Sequence, residues 1–506
     1  MYESTPSLWR SATTSSPRYP KLTAPVHVDV AIVGGGISGI TAALLLKQQG
    51  KRVAVLEKSR IADGESGVST AHITEAIDAR YHALKRTFGA DGARLAGEAS
   101  RAAMELIEQL IAQHQLDCGF RRTPGWLYTE KRSRVSELKS EAASAAEVGV
   151  AAVFSAEVPL PFPVRGGVRF EHQAQMNPLA YVEGLAAHVA GDGSYIFEET
   201  HVIGVIDGAP CTVETSDGTL TADAVFVAAN VPVNDLVSMH TKIAAYRSYA
   251  IAAPVTGSHP DGLFWDTAEP YHYTRWQETP QGTFIIVGGA DHKVGQEEHT
   301  DTAYNELLAF AAEHFGPIDP QYRWSGQIVE SIDGLPYIGL NPGSKHVYIA
   351  TGFAGQGITF GTASAMIVRD LITFGESRWA ELFSPSRMKL DSAREFVAEN
   401  VDFPRHLVLD RLTSHDVETD RPFDVKSGEG KIVMNDGRKV AVARDTAGAL
   451  HALSPVCTHL GCDVAWNSAE TSWDCPCHGS RFSIEGDVLN GPAVQPLAKV
   501  ELKEST

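Results

Sequence analysis

VHVDVAIVGGGISGITAALLLKQQGKRVAVLE, residues 26–57, is the stretch that decides how the larger part of the chain folds. The apolar run at 27–33 reads as a strand, the Gly-rich turn breaks it, and the pattern from Ile40 to Gln49 reads as a helix that Gly50 stops. RVAVLE, 52–57, is a second strand. Strand, Gly-rich turn, helix and strand in that order open a doubly wound α/β domain. Gly34-Gly35-Gly36-Ile37-Ser38-Gly39 fits G-x-G-x-x-G. Gly34 permits the tight turn, Gly36 lets backbone approach a pyrophosphate at the helix N-terminus, and Gly39 allows close helix–strand packing. Glu57, eighteen residues past Gly39, stands where a carboxylate accepts from a ribose hydroxyl. The motif predicts a bound dinucleotide without separating FAD from NAD.

Outward from this unit, helical pattern recurs at 91–115, 133–147, 178–190 and 302–315. Strand-like runs lie at 200–206, 224–228, 247–254, 283–288 and 346–350. Residues 1–24 read as a polar arm. Composition changes after about 400: helical pattern nearly vanishes, and short strands and turns such as Asn435-Asp436-Gly437, a hairpin signal, take over. A boundary near 400–412 therefore separates an α/β part with added antiparallel sheet (25–400) from an all-β part (405–506).

The chain has 506 residues, room for about two to four domains. Lys plus Arg is 43 against 62 for Asp plus Glu, a net charge of −19 that disfavours nucleic acid and anionic membrane as partners. No run approaches the roughly 20 apolar residues of a membrane span, and the N-terminus lacks the apolar core of a signal peptide. A cytoplasmic protein is expected. Of six cysteines, four fall between Cys457 and Cys477 with histidines among them, which points to metal rather than to a disulfide framework.

The cluster reads Cys457-Thr458-His459, fifteen residues, then Cys475-Pro476-Cys477-His478. Two loops, each giving one Cys and one His, suit two irons, one on thiolates and the other on imidazoles. A zinc finger pairs C-x-x-C with H-x-x-x-H instead. Cys462 and Cys477 sit at matching places in the two loops, where a disulfide would pin them together. Residues from about 415 to 506 resemble Rieske [2Fe–2S] domains. The resemblance implies Cys457, His459, Cys475 and His478 as ligands and matches Cys462 and Cys477 to the family's disulfide pair. It likens Gly491-Pro492-Ala493 to the proline loop that shields the cluster, and Ser480 to the serine that donates to a bridging sulfur. Phe482 stands where high-potential members carry a tyrosine donor, so a middling potential is expected.

Three further segments bear on the dinucleotide: Thr200-His201-Val202, AVFVAAN at 224–230, and Asp333-Gly334-Leu335-Pro336 followed by TGFAGQGIT at 351–359, which opens a helix. Together with the first motif they resemble FAD-dependent oxidoreductases of the D-amino-acid-oxidase superfamily, over about 27–375. The resemblance implies FAD-binding pieces at about 25–85, 170–240 and 320–375, and a substrate part at about 86–169 and 241–319. Gly34, Gly36, Ile37, Ser38 and Gly39 would hold the pyrophosphate, and Glu57 the adenosine ribose. Val202 would meet the adenine through its backbone. Ser69 and Thr70 would lie beside the pyrophosphate or flavin, and Gly355, Gln356, Gly357, Ile358 and Thr359 near the isoalloxazine. Lys58, Ala229 and Gly352 are further cofactor-binding candidates. No second dinucleotide unit appears, so no NAD(P)H site is expected.

Members of this superfamily take a hydride from a C–H next to nitrogen, and many clamp a substrate carboxylate with an Arg five residues before the Asp of the DGLP-like motif. That place is Ile328 here, with Glu330 nearby, which speaks against a simple α-amino acid. Tyr246, Arg247, His272, Arg275 and His292, with Tyr271, are the candidates for the substrate pocket. The expected function is oxidation of an amine or amino-acid-like small molecule, with electrons passing between FAD, the Rieske cluster and an external carrier or acceptor. The alternatives are a non-catalytic electron-transfer or sensor module, and reverse flow from a reduced carrier to a flavin-bound substrate. A Rieske oxygenase is disfavoured, because no D-x-x-H-x-x-x-x-H run supplies its mononuclear iron.

Overall fold

The computed structural model describes residues 5–12, 17–233, 239–387 and 422–503; the boundary expected at 400–412 lies outside them. The motif strand Val26–Val33 is central in the first sheet, flanked in parallel by Val53–Leu56 and Gly218–Val227. The sheet runs Tyr337–Leu340, Val347–Thr351, Gly218–Val227, Val26–Val33, Val53–Leu56, Tyr195–Phe197, and the strands Val202–Ile206 and Cys211–Thr215 extend it as a hairpin off Gly218–Val227. Val28, Val30, Ala31 and Ile32 are all buried, as a parallel strand covered on both faces must be. Helix Ile37–Gln48 packs against helix Gly357–Phe374, so the two Gly-rich helix starts are brought side by side.

A second, mostly antiparallel sheet runs Tyr322–Ser331, Ile243–Val255, Gly282–Lys293, Tyr273–Thr279, Leu263–Trp265, Arg121–Thr129, Gly166–Gln175, His72–Ile73. Several of these strands carry no clean period-2 signal. Arg121–Thr129 contains Pro124 and Gly125, and its register to Gly166–Gln175 shifts there, as a proline inside a sheet requires. The helix expected from 91 begins earlier, at Tyr81, because Gly89 (φ 74°) kinks rather than ends it. The N-terminal arm is not a solvated tail. Its short helix Leu8–Ala12 buries Leu8 and Trp9, and Trp9 Nε1 donates to Ser69 O at 2.8 Å.

The all-β part consists of the sheets Gly430–Asn435, Arg438–Arg444, Leu450–Leu453 and Ala465–Asn467, Ser472–Asp474, Arg481–Phe482, Val488–Asn490. Asp436 and Gly437, both at positive φ, make the predicted two-residue hairpin turn between Asn435 and Arg438. This part is docked on the first. Arg247 and Glu470 form an ion pair at 2.9 Å with both side chains nearly inaccessible (6% and 11%). Tyr304 Oη also donates to Glu470 at 3.1 Å, and Gln327 Nε2 donates to Gly479 O at 2.7 Å. Ala469 enters the apolar core that holds Tyr249 and Tyr304. Among the described residues no helix is long and apolar enough to cross a membrane.

Candidate active site and cluster site

The carboxyl ends of the central parallel strands and the N-terminus of helix Ile37–Gln48 open on a cavity of about 320 Å³. Its lining includes Gly34, Gly36, Ile37, Ser38, Glu57, Lys58, Ser69, Thr70, Val202 and Ala229, and from the second helix start Gly355, Gln356, Gly357 and Ile358. Three expected residues do not line it. Gly39 packs behind the turn, Gly352 forms a positive-φ turn beside Ser331, and Thr359 is buried with its hydroxyl accepting from Thr74 N at 3.3 Å.

The turn is built for a close backbone approach. A Cβ on Gly34 would lie 2.5 Å from Ala228 O, and one on Gly36 would lie 2.9 Å from Ser66 Oγ. Glu57 braces the turn, accepting from Gly35 N and Ser59 N, both at 2.8 Å. Burial pushes the Glu57 carboxyl up, and those two N–H groups pull against it. Ile37 N, at the helix start, donates to Ser66 Oγ at 2.9 Å; Ser66 belongs to no motif, so sequence reading misses it. A preorganised turn, a helix N-terminus and a carboxylate at the ribose position fit FAD.

At the Gly355 end the cavity is aromatic and acidic. Asp78 and Tyr271 line it, and Asp78 accepts from Gly355 N at 2.8 Å. Tyr273 lines it too, and its hydroxyl lies 3.0 Å from Ser248 Oγ. Asp291 lies beyond the cavity wall, and burial raises its carboxyl to about 7. Asp291 Oδ1 is buried without a hydrogen-bond partner among the described residues. His72, which also lines the cavity, is held neutral, its pKa lowered by burial to about 3.

The expected substrate-pocket set is largely elsewhere. Of those candidates Tyr271 lines the cavity; Tyr246, Arg247, His272, Arg275 and His292 do not. Alternation along the strands explains most of this. Ser248 and Ala250 face the cavity, so Arg247 points to the other face, as does its cross-strand partner His292, which meets Tyr249 Oη at 3.0 Å. Tyr246 pairs with Ile328, which lines the cavity, but the register shift between Arg247 and Tyr249 separates it from the cavity-facing Ser248, and it does not line the cavity itself. His272 binds Asp266 Oδ2 through Nδ1 at 2.9 Å and stacks on Phe310 at 4.0 Å. Arg275 is fully buried, donating to Thr70 O at 2.6 Å, Gln277 Oε1 at 2.8 Å and Met176 O at 3.1 Å, with Trp9 5.1 Å from its guanidinium. It shapes the Thr70 loop rather than meeting a ligand.

In the all-β part, Cys457 and Cys475 are buried, unbridged thiols, and Cys462–Cys477 is a disulfide. Cys462, Cys475 and Cys477 lie close enough to suggest a metal trio, but two of the three sulfurs are tied to each other, so they are no donor set. The His459 and His478 rings stand 5.0 Å apart at 87°, and His459 Nε2 is buried with no hydrogen-bond partner among the described residues. Two thiols and two imidazoles converging from two stapled loops fit a Rieske cluster. His240, from the α/β part, covers both imidazoles, with ring centroids at 4.8 Å from His459 and 5.5 Å from His478. No local pattern marks His240; only the docking reveals it. Phe482 is fully buried and offers no hydroxyl. Phe482→Tyr is expected to raise the cluster's midpoint potential in a redox titration; an unchanged or lower midpoint would contradict the missing-donor reading.

A family model described as FAD dependent oxidoreductase matches residues 29–371, and one described as Rieske [2Fe-2S] domain matches residues 415–501. YhfW of Bacillus subtilis (strain 168), described as a Rieske 2Fe-2S iron–sulfur protein, is 32% identical over 99% of this chain and 98% of its own length. Gamma-glutamylputrescine oxidoreductase of Escherichia coli (strain K12) is 24% identical over 74% of this chain and 90% of its own. Among solved structures, glycine oxidase from Geobacillus kaustophilus superposes with a TM-score of 0.61 at 20% identity, over 72% of this chain and 99% of that one. The likeness of fold is to that enzyme's whole length.

Proposed function

Because the chain belongs to the FAD-dependent oxidoreductase family and continues into a Rieske [2Fe–2S] domain, we propose that it oxidises an amine and passes the electrons through the cluster to an external carrier. The observation that carries this reading is the charge at the Gly355 end of the cavity. Asp78 is there, Ile328 occupies the place of a carboxylate-clamping Arg, and the described lining residues include no arginine and one lysine, Lys58, beside the imidazoles of His72 and His201. The Lys58 ammonium is already committed to Val488 O at 3.1 Å and Leu489 O at 2.6 Å. A cationic amine finds a counter-charge in such a pocket, whereas an α-carboxylate would meet Asp78 with no guanidinium to offset it. The amine-bearing name of the Escherichia coli relative agrees with this class.

Bound FAD supplies a two-electron acceptor and the cluster a one-electron carrier. The protein's own part is binding, orientation and proton traffic. Asp78, held by Gly355 N, attracts the substrate cation. Tyr271 and Tyr273 flank it and exclude water. The substrate nitrogen must lose its proton before the adjacent C–H is broken. Asp291, whose charge is felt by both Tyr271 and Tyr273, is the group assigned to take that proton out of the cavity, with Tyr273 Oη held by Ser248 Oγ at 3.0 Å. Below about pH 7 Asp291 is already protonated and cannot accept; above it the carboxylate is free to do so. The expected profile of kcat/KM therefore rises with pH through about 7 and then levels. Asp291→Asn should lower kcat/KM about a hundredfold and flatten that limb; a limb that persists unchanged would rule Asp291 out.

The decisive test of the reading is anaerobic mixing with a panel of amines and α-amino acids, followed at flavin and cluster wavelengths. Bleaching of the flavin and then of the cluster by amines supports it. Bleaching by α-amino acids alone, or by neither class, rejects it.

A further inference from the structure

We propose that the FAD site is completed by the Rieske domain: strand Val488–Asn490 and the loop that follows it form one wall of the cofactor cavity, on the Glu57–Lys58 side. Val488, Leu489, Asn490, Gly491 and Ala493 all line the same cavity as the Gly34–Gly36 turn. They are fastened there from the FAD domain. Lys58 donates to the carbonyls of Val488 and Leu489, and Asn490 Nδ2 donates to Glu65 Oε1 at 2.9 Å. Asn490 is itself oriented by Arg481 Nη1, at 3.3 Å from its Oδ1, and Glu65 by accepting from Gln327 N at 2.5 Å. A Cβ at Gly491 would touch Val233 at 3.5 Å.

The wall has an uncovered apolar element. Leu489 is 42% exposed, one of few large apolar side chains left open, and it lies on the cavity lining. An aliphatic side chain beside a ribose-binding carboxylate is placed to pack against the adenosine half of the cofactor. The other face of the same loop belongs to the cluster. Ala493 packs with Cys457 and Cys475, and its N–H donates to Ser480 Oγ at 3.0 Å. One short loop therefore separates the two cofactor sites. Any free energy that FAD gains from the docked wall must appear reciprocally as tighter docking when FAD is bound. This inference rests on FAD binding and stands whether or not the substrate is an amine.

The test uses the full chain with its cluster intact, stripped of FAD and titrated with FAD while flavin fluorescence is followed. Leu489→Ser alters an exposed side chain, so the domain keeps its fold; Asn490→Asp is isosteric and sets a carboxylate against Glu65. Cluster content is checked by the EPR of the reduced protein. Each variant is expected to raise the Kd for FAD about tenfold or more, with the cluster retained. The EPR g-values are expected to differ between FAD-loaded and FAD-stripped parent. A Kd within twofold of the parent in Leu489→Ser with a full cluster signal overturns the proposal. Should Asn490→Asp lose its cluster, Leu489→Ser decides alone.

Discussion

Gly39→Ala is expected to cost the protein its flavin. A Cβ at position 39 would lie 2.0 Å from Gly34 O and 3.2 Å from Ile32 Cγ2. The first clash is with backbone, which cannot rotate away, so helix Ile37–Gln48 has to lift off strand Val26–Val33. Overpacking of this kind costs about 1–3 kcal/mol in stability. Its effect on binding is larger, because the lift swings the helix N-terminus and the turn's N–H groups away from the pyrophosphate. After gel filtration we expect less than roughly a tenth of the parent's FAD to remain, since the helix end and the turn N–H groups together hold the pyrophosphate by more than about 1.4 kcal/mol. A Gly39→Ala protein that retains stoichiometric FAD would refute the close-packing role given to this glycine.

Arg247→Met is the second large effect expected, and it acts on the docking of the two parts. Burial raises the Glu470 carboxyl, but Arg247 and Arg481 outweigh burial and hold it below the usual range. Removing Arg247 leaves a buried carboxylate facing Arg481 at 3.8 Å and the Tyr304 hydroxyl. Breaking a buried pair by deleting one partner costs about 3–5 kcal/mol, and the residual Arg481 contact places the expectation at the lower end. Calorimetry should show the loss, and the double variant Arg247→Met with Glu470→Leu should recover most of it. The sign with pH follows from the lowered carboxyl. In the parent, Glu470 contributes stability above its unfolded pKa of about 4.3 and loses it as pH falls through the folded value. In Arg247→Met the carboxyl is no longer held down, so its protonation begins at higher pH and the penalty shrinks on acidification. A penalty that grows on acidification would contradict the assignment.

What could be read from the chain alone was whatever is contiguous. The turn at 34–39 and its helix are neighbours in sequence, so spacing specifies their geometry. The same holds for the two cluster loops, each a run of about six residues that folds on itself through its own backbone, Gly461 N to Cys457 O in one and Gly479 N to Cys475 O in the other. The substrate cavity is different. It is assembled from a turn at Asp78, two strands of the second sheet and a helix start, and whether a strand residue reaches it depends on parity. Arg247 and Ser248 are adjacent in sequence and face opposite sides, so a cluster of polar aromatics near 245–295 could not be sorted without register. Arg275 carries the chemistry of an anion clamp and spends it on backbone carbonyls. His240 and Leu489 acquire their places only through contacts between parts more than 200 residues apart.

The Arg247–Glu470 pair and the other contacts that fasten the all-β part also bear on rate. Two separate proteins at about 1 μM, meeting with a typical association constant of 10⁵–10⁷ M⁻¹s⁻¹, would hand over electrons no faster than roughly 0.1–10 times per second. Tethering and docking replace that encounter by an effective concentration of about millimolar or above. On the function proposed here, internal transfer then proceeds at a rate independent of how dilute the protein is, and the collisions left in the cycle are those with the amine and with the external carrier. Turnover per molecule should accordingly respond to amine and carrier concentration and to nothing else that dilution changes.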